Sequence, residues 1–129
     1  MNYQADIFDA LTGDNAIAAL VGTKVFPDVA DLSATVPYLV CQTIYTGGET
    51  THDGERNLEF PLVQITAWAA TKAGAIALGD LVTNLLDGAT IAGTSAATFQ
   101  FSNRMGTYDP GERLFGEIAE FRASTNRNQ

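Results

Sequence analysis

Apolar residues recur at helical spacing near the start of the chain. In "YQADIFDALTG", Ile7, Phe8 and Leu11 fall on one side of a helix, and Asp6 and Asp9 fall on the other. An apolar side that alternates with a polar side at this period is typical of a helix packed on a core. The segment therefore predicts an amphipathic helix.

A second short helix is expected directly after the first. Gly13 is typical of a helix end, and Asp14 or Asn15 can cap the next helix with a side-chain oxygen. Gly22 predicts the end of that second helix. The apolar residues between these signals are Ile17, Leu20 and Val21. We expect two consecutive helical pieces and not one long helix.

The most regular helical pattern lies in "KAGAIALGDLVTNLLDG", residues 72–88. Thr71 stands where an N-cap residue belongs, and Gly88 stands where a helix-ending glycine belongs. Apolar residues recur in this segment at steps of three and four, namely Ala75, Leu78, Leu81, Val82, Leu85 and Leu86. We expect this helix to lie across a sheet and to supply much of the core.

Five segments have the composition of β-strands, which are rich in β-branched and aromatic residues. They are "KVF", "YLVCQTIY", "LEFPLVQITAWA", "TFQFSNRMGTY" and "RLFGEIAEFRA". Pro61, inside the third segment, has no N–H donor and so marks an edge or a bulge. The last two segments flank "DPGE", which predicts a hairpin. Pro110 would take the second position of a type II turn, and Gly111 its positive-φ position.

The predicted order of elements is α-α-β-β-β-α-β-β. Because most neighbouring strands are joined by turns and only one crossover helix is available, the order favours an α+β fold. It would have a mainly antiparallel sheet with helices packed on one face. At 129 residues the chain suits a single domain spanning residues 1–129. The polar end "STNRNQ", residues 124–129, is expected to be a frayed tail.

Composition limits the class of protein. Hydrophobic residues make up 46% of the chain and charged residues 17%, which is enough apolar material for one core. No apolar run approaches the roughly 18–20 residues that cross a bilayer. The N-terminal "MNYQADIFDALTGD" has no Lys or Arg, so it resembles neither a secretory signal nor a transit peptide. We expect a soluble protein, made and used in a cytoplasm, with no membrane partner.

The net charge of −8 is unevenly distributed. Residues 1–55 hold eight acids and one base, Lys24, whereas residues 56–129 hold seven acids and six bases. This acidity argues against ordinary nucleic-acid binding, which relies on Lys and Arg to neutralise phosphates. An acidic surface is compatible with DNA sliding past without binding. A solvated acidic surface with no such role is the simpler interpretation.

The polar segment 46–57, "TGGETTHDGERN", is the one candidate for chemistry. His52, Asp53 and Glu49 crowd together there, and a His–carboxylate pair can act in acid–base catalysis or bind a metal. The chain has one His, no metal-site spacing and no phosphate-binding glycine motif. We therefore expect an interaction loop with no catalytic residue, metal or cofactor. Cys41, the single cysteine, is expected to be a buried structural thiol.

The last strand has two different faces. Leu114 and Ile118 share one face with Glu120 and Arg122. Apolar residues mixed with an ion pair are typical of a subunit interface and equally of a partly covered sheet edge. Among the aromatic residues, Trp68 and Phe60 are expected in the core. Four others fit an interface or the core equally: Tyr38, Tyr45, Tyr108 and Phe115.

The order of these segments resembles that of a known family, the tail-completion or tail-terminator proteins of long-tailed bacteriophages and gene-transfer agents. "IFDALTGDNAIAALVGTKVFPDVA" is similar to the opening helix pair of that family and its step into the first strand. "VPYLVCQTI", "TTHDG", "VQITAWAATKAGAIALGDLVTNLLDG" and "YDPGERLFGEIAEFRA" resemble its next strand, a loop, the strand–helix unit and the closing hairpin. The likeness covers nearly the whole chain.

The resemblance implies a structural virion protein at the tail–neck junction. Such proteins form rings, usually of six copies, that cap the tail tube and offer a docking face to the head-closure (stopper) protein. DNA passes through the hole without sequence-specific binding. We also expect this lumen to be acidic or neutral, and a lumen lined mainly by Arg104, Arg113, Arg122 and Arg127 would contradict that.

On this resemblance, the two prolines flanking residues 28–36 bracket a loop that can adapt at a contact, and neighbouring copies can cover strand edges such as "KVF". The residues proposed to form interfaces are Val25, Phe26, Asp28, Asp31, Glu49, His52, Asp53, Leu114 and Ile118. Two alternatives stay open. One is another neck component such as a stopper, and the other is a monomeric binding module or small enzyme that uses the His52 loop.

Overall fold

Three helices and a mostly antiparallel sheet make up the described part of the chain. A computed structural model describes residues 3–27, 30, 35–44, 58–59, 62–88 and 98–126. The elements are α1 (Tyr3–Gly13), α2 (Asn15–Val21), β1 (Val25–Pro27), β2 (Tyr38–Ile44), β3 (Leu58–Glu59), β4 (Leu62–Ala69), α3 (Lys72–Leu86), β5 (Thr98–Asp109) and β6 (Leu114–Asn126). The predicted α+β class and the order of elements are confirmed.

The helix boundaries form for the local reasons expected from the sequence. Asp14 caps α2 by accepting a hydrogen bond at Oδ2 from the N–H of Ile17, 3.0 Å away. Thr71 caps α3 by accepting at Oγ1 from the N–H of Gly74, also 3.0 Å away. Gly88 follows α3 with a φ of 76°, a left-handed conformation that favours glycine. These caps and the two separate N-terminal helices are confirmed.

The sheet has the strand order β1-β2-β4-β6-β3, with β5 on the other side of β6. β1 pairs with β2 in parallel, and every other described pair is antiparallel. β1 and β5 are therefore the two lateral strands of the sheet, and β6 lies inside it. This placement of β6 matters for the surfaces described below.

The segment predicted as one long strand forms two pieces, β3 and β4. β3 and β4 both pair with β6 in the same register, because Glu59 lies opposite Thr125 and Leu62 lies opposite Arg122. Residues 60–61 lie outside the described residues, so the irregularity expected at Pro61 stays a prediction.

The C-terminal strand is longer than predicted. β6 continues to Asn126, with Ser124 opposite Thr98 of β5, and Thr125 and Asn126 opposite β3. The prediction of a frayed tail is therefore wrong for residues 124–126. Strand pairing satisfies backbone groups whatever the side chain, so a polar segment joins a sheet when strands lie on both sides of it. Residues 127–129 lie outside the described residues.

The β5–β6 hairpin is confirmed, but its turn differs from the prediction. Gly111 does not adopt a positive φ, and Arg113 does, with φ 57°. The cause is Asp109, whose Oδ1 accepts hydrogen bonds from the N–H groups of Gly111 (3.0 Å) and Glu112 (3.4 Å). An aspartate that binds the following N–H groups shapes a four-residue loop, so the left-handed residue comes last.

The core lies between one face of the sheet and the three helices. Alternate strand residues face the helices, including Leu39, Ile65, Ala119 and Phe121, which are all at most 1% exposed. The helices contribute Ile7, Leu11, Ile17, Val21, Leu78, Val82 and Leu86. Cys41 belongs to this cluster, which confirms its predicted burial. In the part of the chain that the structure describes, no helix is long and apolar enough to cross a membrane.

Candidate assembly surfaces

The second face of the sheet carries none of the described helices. We call it the open face. Because the core residues alternate along the strands, the residues between them point to the open face. They include Phe26, Tyr38, Trp68, Leu114 and Ile118, all of which are partly buried, and Val40 and Thr66, which are each only 7% exposed. The rings of Phe26 and Tyr38 meet edge to face with centroids 5.8 Å apart.

Trp68 packs across β6 on the open face. A Cβ added at Gly116 would lie 2.9 Å from Cζ3 of Trp68 and 2.8 Å from Cγ2 of Thr107. A glycine at this position leaves room for the indole ring to lie against the backbone. Trp68 was expected in the core, but it lies on the open face and is only partly buried.

The hairpin turn lies close to β2 on the open face. Partial burial raises the pKa of the Tyr38 phenol above its ordinary value, and the carboxylates of Glu112 and Asp109 raise that pKa further. Asp109 is the last residue of β5, and Glu112 lies in the turn that follows it. The turn therefore adds negative charge to the end of the open face at which Tyr38 lies.

The position of β6 tests one of the two interpretations of the Leu114–Ile118 face, namely that it belongs to a partly covered sheet edge. β6 pairs with β4 on one side and with β5 on the other, so it is not a sheet edge. The partly covered edge is thus excluded. The expected Glu120–Arg122 ion pair is replaced by a hydrogen bond from Gln64 Nε2 to Glu120, with Arg122 exposed. The role of this face as an interface stays a prediction.

β5 is the longer of the two lateral strands, with 12 residues. Near its start, its outer edge is covered by the end of α3. The N–H of Gly88 donates to the carbonyl of Phe99 (2.9 Å), and the N–H of Phe101 donates to Asp87 Oδ1 (3.1 Å). A bulge follows between Phe101 and Asn103.

Beyond the bulge, the outer edge of β5 has no partner strand among the described residues, and we call this part the open edge. From residue 103 to residue 109, no described residue pairs with it on the side away from β6. Met105 and Tyr108 are each 47% exposed on this part of the strand. An unpaired edge with exposed apolar side chains is a surface that proteins normally cover. The sequence did not predict Met105 as a candidate surface residue, because no sequence pattern shows which strand lies at the edge of the sheet.

One arginine joins β5 to α3 on the helix side. The guanidinium of Arg104 contacts Asp80 Oδ1 at 3.0 Å, Thr83 Oγ1 at 3.2 Å and the carbonyl of Ile76 at 3.3 Å. It also lies 3.5 Å from Glu117 of β6. Arg104 is therefore neutralised by two carboxylates and is not a free positive charge.

A shallow pocket lies where the N-terminal half of α3 meets the hairpin. We call it the hairpin pocket. Its lining includes Lys72, Ile76, Gly106, Phe115 and Glu117. Tyr108 stands beside it, with its ring centroid 4.8 Å from that of Phe115. The pocket combines an apolar wall with an exposed lysine at its rim.

The predicted interface residues divide into three groups. Val25 is in the core, 6% exposed, so its side chain is not available at the surface. Phe26, Leu114 and Ile118 come together on the open face. The remaining five lie outside the described residues, namely Asp28, Asp31, Glu49, His52 and Asp53. Among described residues, no group of three or more His, Cys, Asp or Glu is placed to hold a metal.

The model of one protein family matches residues 5–126, and that family is described as tail completion protein gp17. The chain belongs to this family. It is a structural protein of phage tails and not an enzyme, which excludes the small-enzyme alternative. The suspected kinship with tail-completion proteins is confirmed.

A solved structure shares the fold of this tail completion protein. It is a chain from the virion of a native gene transfer agent particle, with a TM-score of 0.75 and 21% sequence identity. The similarity covers 95% of this chain and 93% of that chain. A comparison with curated proteins found no match.

Proposed function

We propose that this tail completion protein forms a ring of six identical copies that terminates the tail tube. One side of the ring meets the last ring of tube protein, and the other side meets the head-closure protein. The proposal rests first on a structural observation. All three described helices pack on one face of the sheet, and no described strand pairs with the outer edge of β5 beyond its bulge, so the other face and this edge are candidates for contacts.

A ring of identical subunits needs two different contact surfaces on each copy. Head-to-tail contacts close into a ring, whereas contacts between identical patches give dimers. The lateral strands β1 and β5 lie at opposite edges of the sheet, which supplies two different surfaces. The open face then remains for contacts with other virion proteins.

The charge distribution supports passage of DNA through the ring. The chain has a net charge of −8, and Arg104, one of its seven bases, is held by Asp80 and Glu117. A lumen with an acidic or neutral surface would not bind the phosphates that move through it. Among the described residues, the exposed arginines are Arg113 and Arg122, and we expect neither of them to line the lumen.

Native mass spectrometry of the purified protein tests the ring. We expect a mass of six chains of 13.7 kDa each, either alone or after addition of tube protein. Tyr108→Lys should weaken the ring, because Tyr108 is 47% exposed on the unpaired part of β5 and the change places a charge where a neighbour packs. Asn84→Lys, an exposed change on α3, is the matched control. A single chain with and without tube protein would overturn the proposal.

A further inference from the structure

The N-terminal helices carry exposed apolar residues that the fold does not use. Phe8 on α1 is 38% exposed and Leu20 on α2 is 45% exposed. Phe8 was expected on the apolar side of α1, opposite Asp9, but both residues are exposed and stand one helical step apart, about 100° around the helix axis. We call Phe8, Asp9 and Leu20 the helical patch. Residues 1–23 contain three aspartates and no Lys or Arg, so this end of the molecule is acidic.

The hairpin pocket has the complementary character. Ile76 is 38% exposed and Tyr108 is 47% exposed, so an apolar surface is available there. Its charged groups are not all equally available. Glu117 is 12% exposed and lies 3.5 Å from Arg104, whereas Lys72 is exposed. An acidic, apolar partner fits such a surface.

The helix α1 and the hairpin pocket lie at opposite edges of the sheet. α1 contacts β1, and α2 contacts both β2 and α3, whereas α3 contacts β4, β5 and β6. Four strand-to-strand steps separate β1 from β5, which at about 4.8 Å each is roughly 19 Å. Both surfaces are on the helix side. A copy placed beside another with its β1 edge along the β5 edge brings the patch and the pocket together.

We infer that consecutive copies in the ring meet through these two surfaces, with the helical patch of one copy packed on the hairpin pocket of the next. The occupant of the pocket is thus a second copy of this chain. Asp9 of one copy faces Lys72 of its neighbour, and Phe8 and Leu20 lie against Ile76 and Tyr108. This inference rests on the proposed ring and specifies its subunit contact.

Charge reversal tests the contact directly. Asp9→Lys and Lys72→Glu should each raise the protein concentration at which the ring dissociates by about tenfold, because like charges then face each other. The double variant restores an opposite pair and should return that concentration close to the wild-type value. Arg122→Glu, on the open face, makes the same charge change as Lys72→Glu and should leave the ring unaffected.

The ring population is measured by native mass spectrometry over a concentration series, with thermal unfolding of each variant to show that it folds. If the wild-type ring forms and neither single variant weakens it, the inferred contact is wrong while the ring proposal stands. If both single variants weaken it and the double variant does not recover, the two residues do not face each other and the inference is also wrong. A wild-type protein that forms no ring, with or without tube protein, overturns both proposals.

Discussion

Gly79→Ala in α3 probes the junction that holds the open strand β5 in place. In an unobstructed helix, replacing glycine with alanine stabilises by about 1 kcal/mol. Here the added Cβ would lie 2.9 Å from Nη2 of Arg104 and 2.9 Å from Cγ of Glu117. Neither distance is compatible with an ordinary contact, so both side chains have to move.

Movement of Arg104 has a definite cost because its guanidinium is held on several sides. The guanidinium would lose its hydrogen bonds to Asp80 (3.0 Å) and Thr83 (3.2 Å), which join β5 to α3. Overpacking of this kind costs about 1–3 kcal/mol. With the helix-propensity gain subtracted, Gly79→Ala should lower the free energy of unfolding by about 1 kcal/mol.

The assay is urea unfolding followed by far-UV circular dichroism, in both the wild-type and the Arg104→Ala background. Without the guanidinium, one of the two close contacts is removed and Glu117 no longer has Arg104 beside it, so the loss caused by Gly79→Ala should become clearly smaller. Ala77→Gly, at an exposed position in the same helix, controls for helix propensity and should cost about 1 kcal/mol. If Gly79→Ala has the same effect in both backgrounds, the close packing of Gly79 on Arg104 is refuted.

Three further predictions concern single residues. Gly116→Ala should destabilise by about 1–3 kcal/mol in urea unfolding because its Cβ would lie 2.9 Å from Trp68, whereas Gly13→Ala, with no atom within 4 Å, should not. Thr71→Ala removes the α3 cap and should lower the free energy of unfolding by about 1 kcal/mol. The pKa of Tyr38 is raised in the folded chain, so the folded chain holds the phenol proton more tightly than the unfolded chain does. The contribution of Tyr38 to the free energy of unfolding is therefore fully present below the unfolded pKa of about 10 and is lost at higher pH. Tyr38→Phe should therefore reduce the alkaline loss of stability, measured as melting temperature against pH.

Local signals in the sequence predicted most of the fold. The caps at Asp14 and Thr71 and the glycine after α3 depend on contacts within a few residues, so the sequence alone reveals them. The type II turn was wrong because the Asp109 carboxylate, and not Pro110 or Gly111, directs the turn. The frayed tail was wrong because pairing of residues 124–126 depends on strands far away in sequence.

The candidate surfaces were only partly predictable. The alternation along β6 placed Leu114 and Ile118 on a common face, and this face is the open one. Which strand is lateral depends on long-range pairing, so Met105 on β5 gave no signal. Val25 was proposed for an interface, but β1 turns it towards the helices, where it is buried.

Electron microscopy of purified tail tubes mixed with this protein shows whether it closes the tube end as a ring. We expect a ring of identical copies seated on one end of each tube, with a continuous hole along the tube axis. Tube ends that stay bare in excess protein, with the protein present as separate single chains, would contradict this expectation.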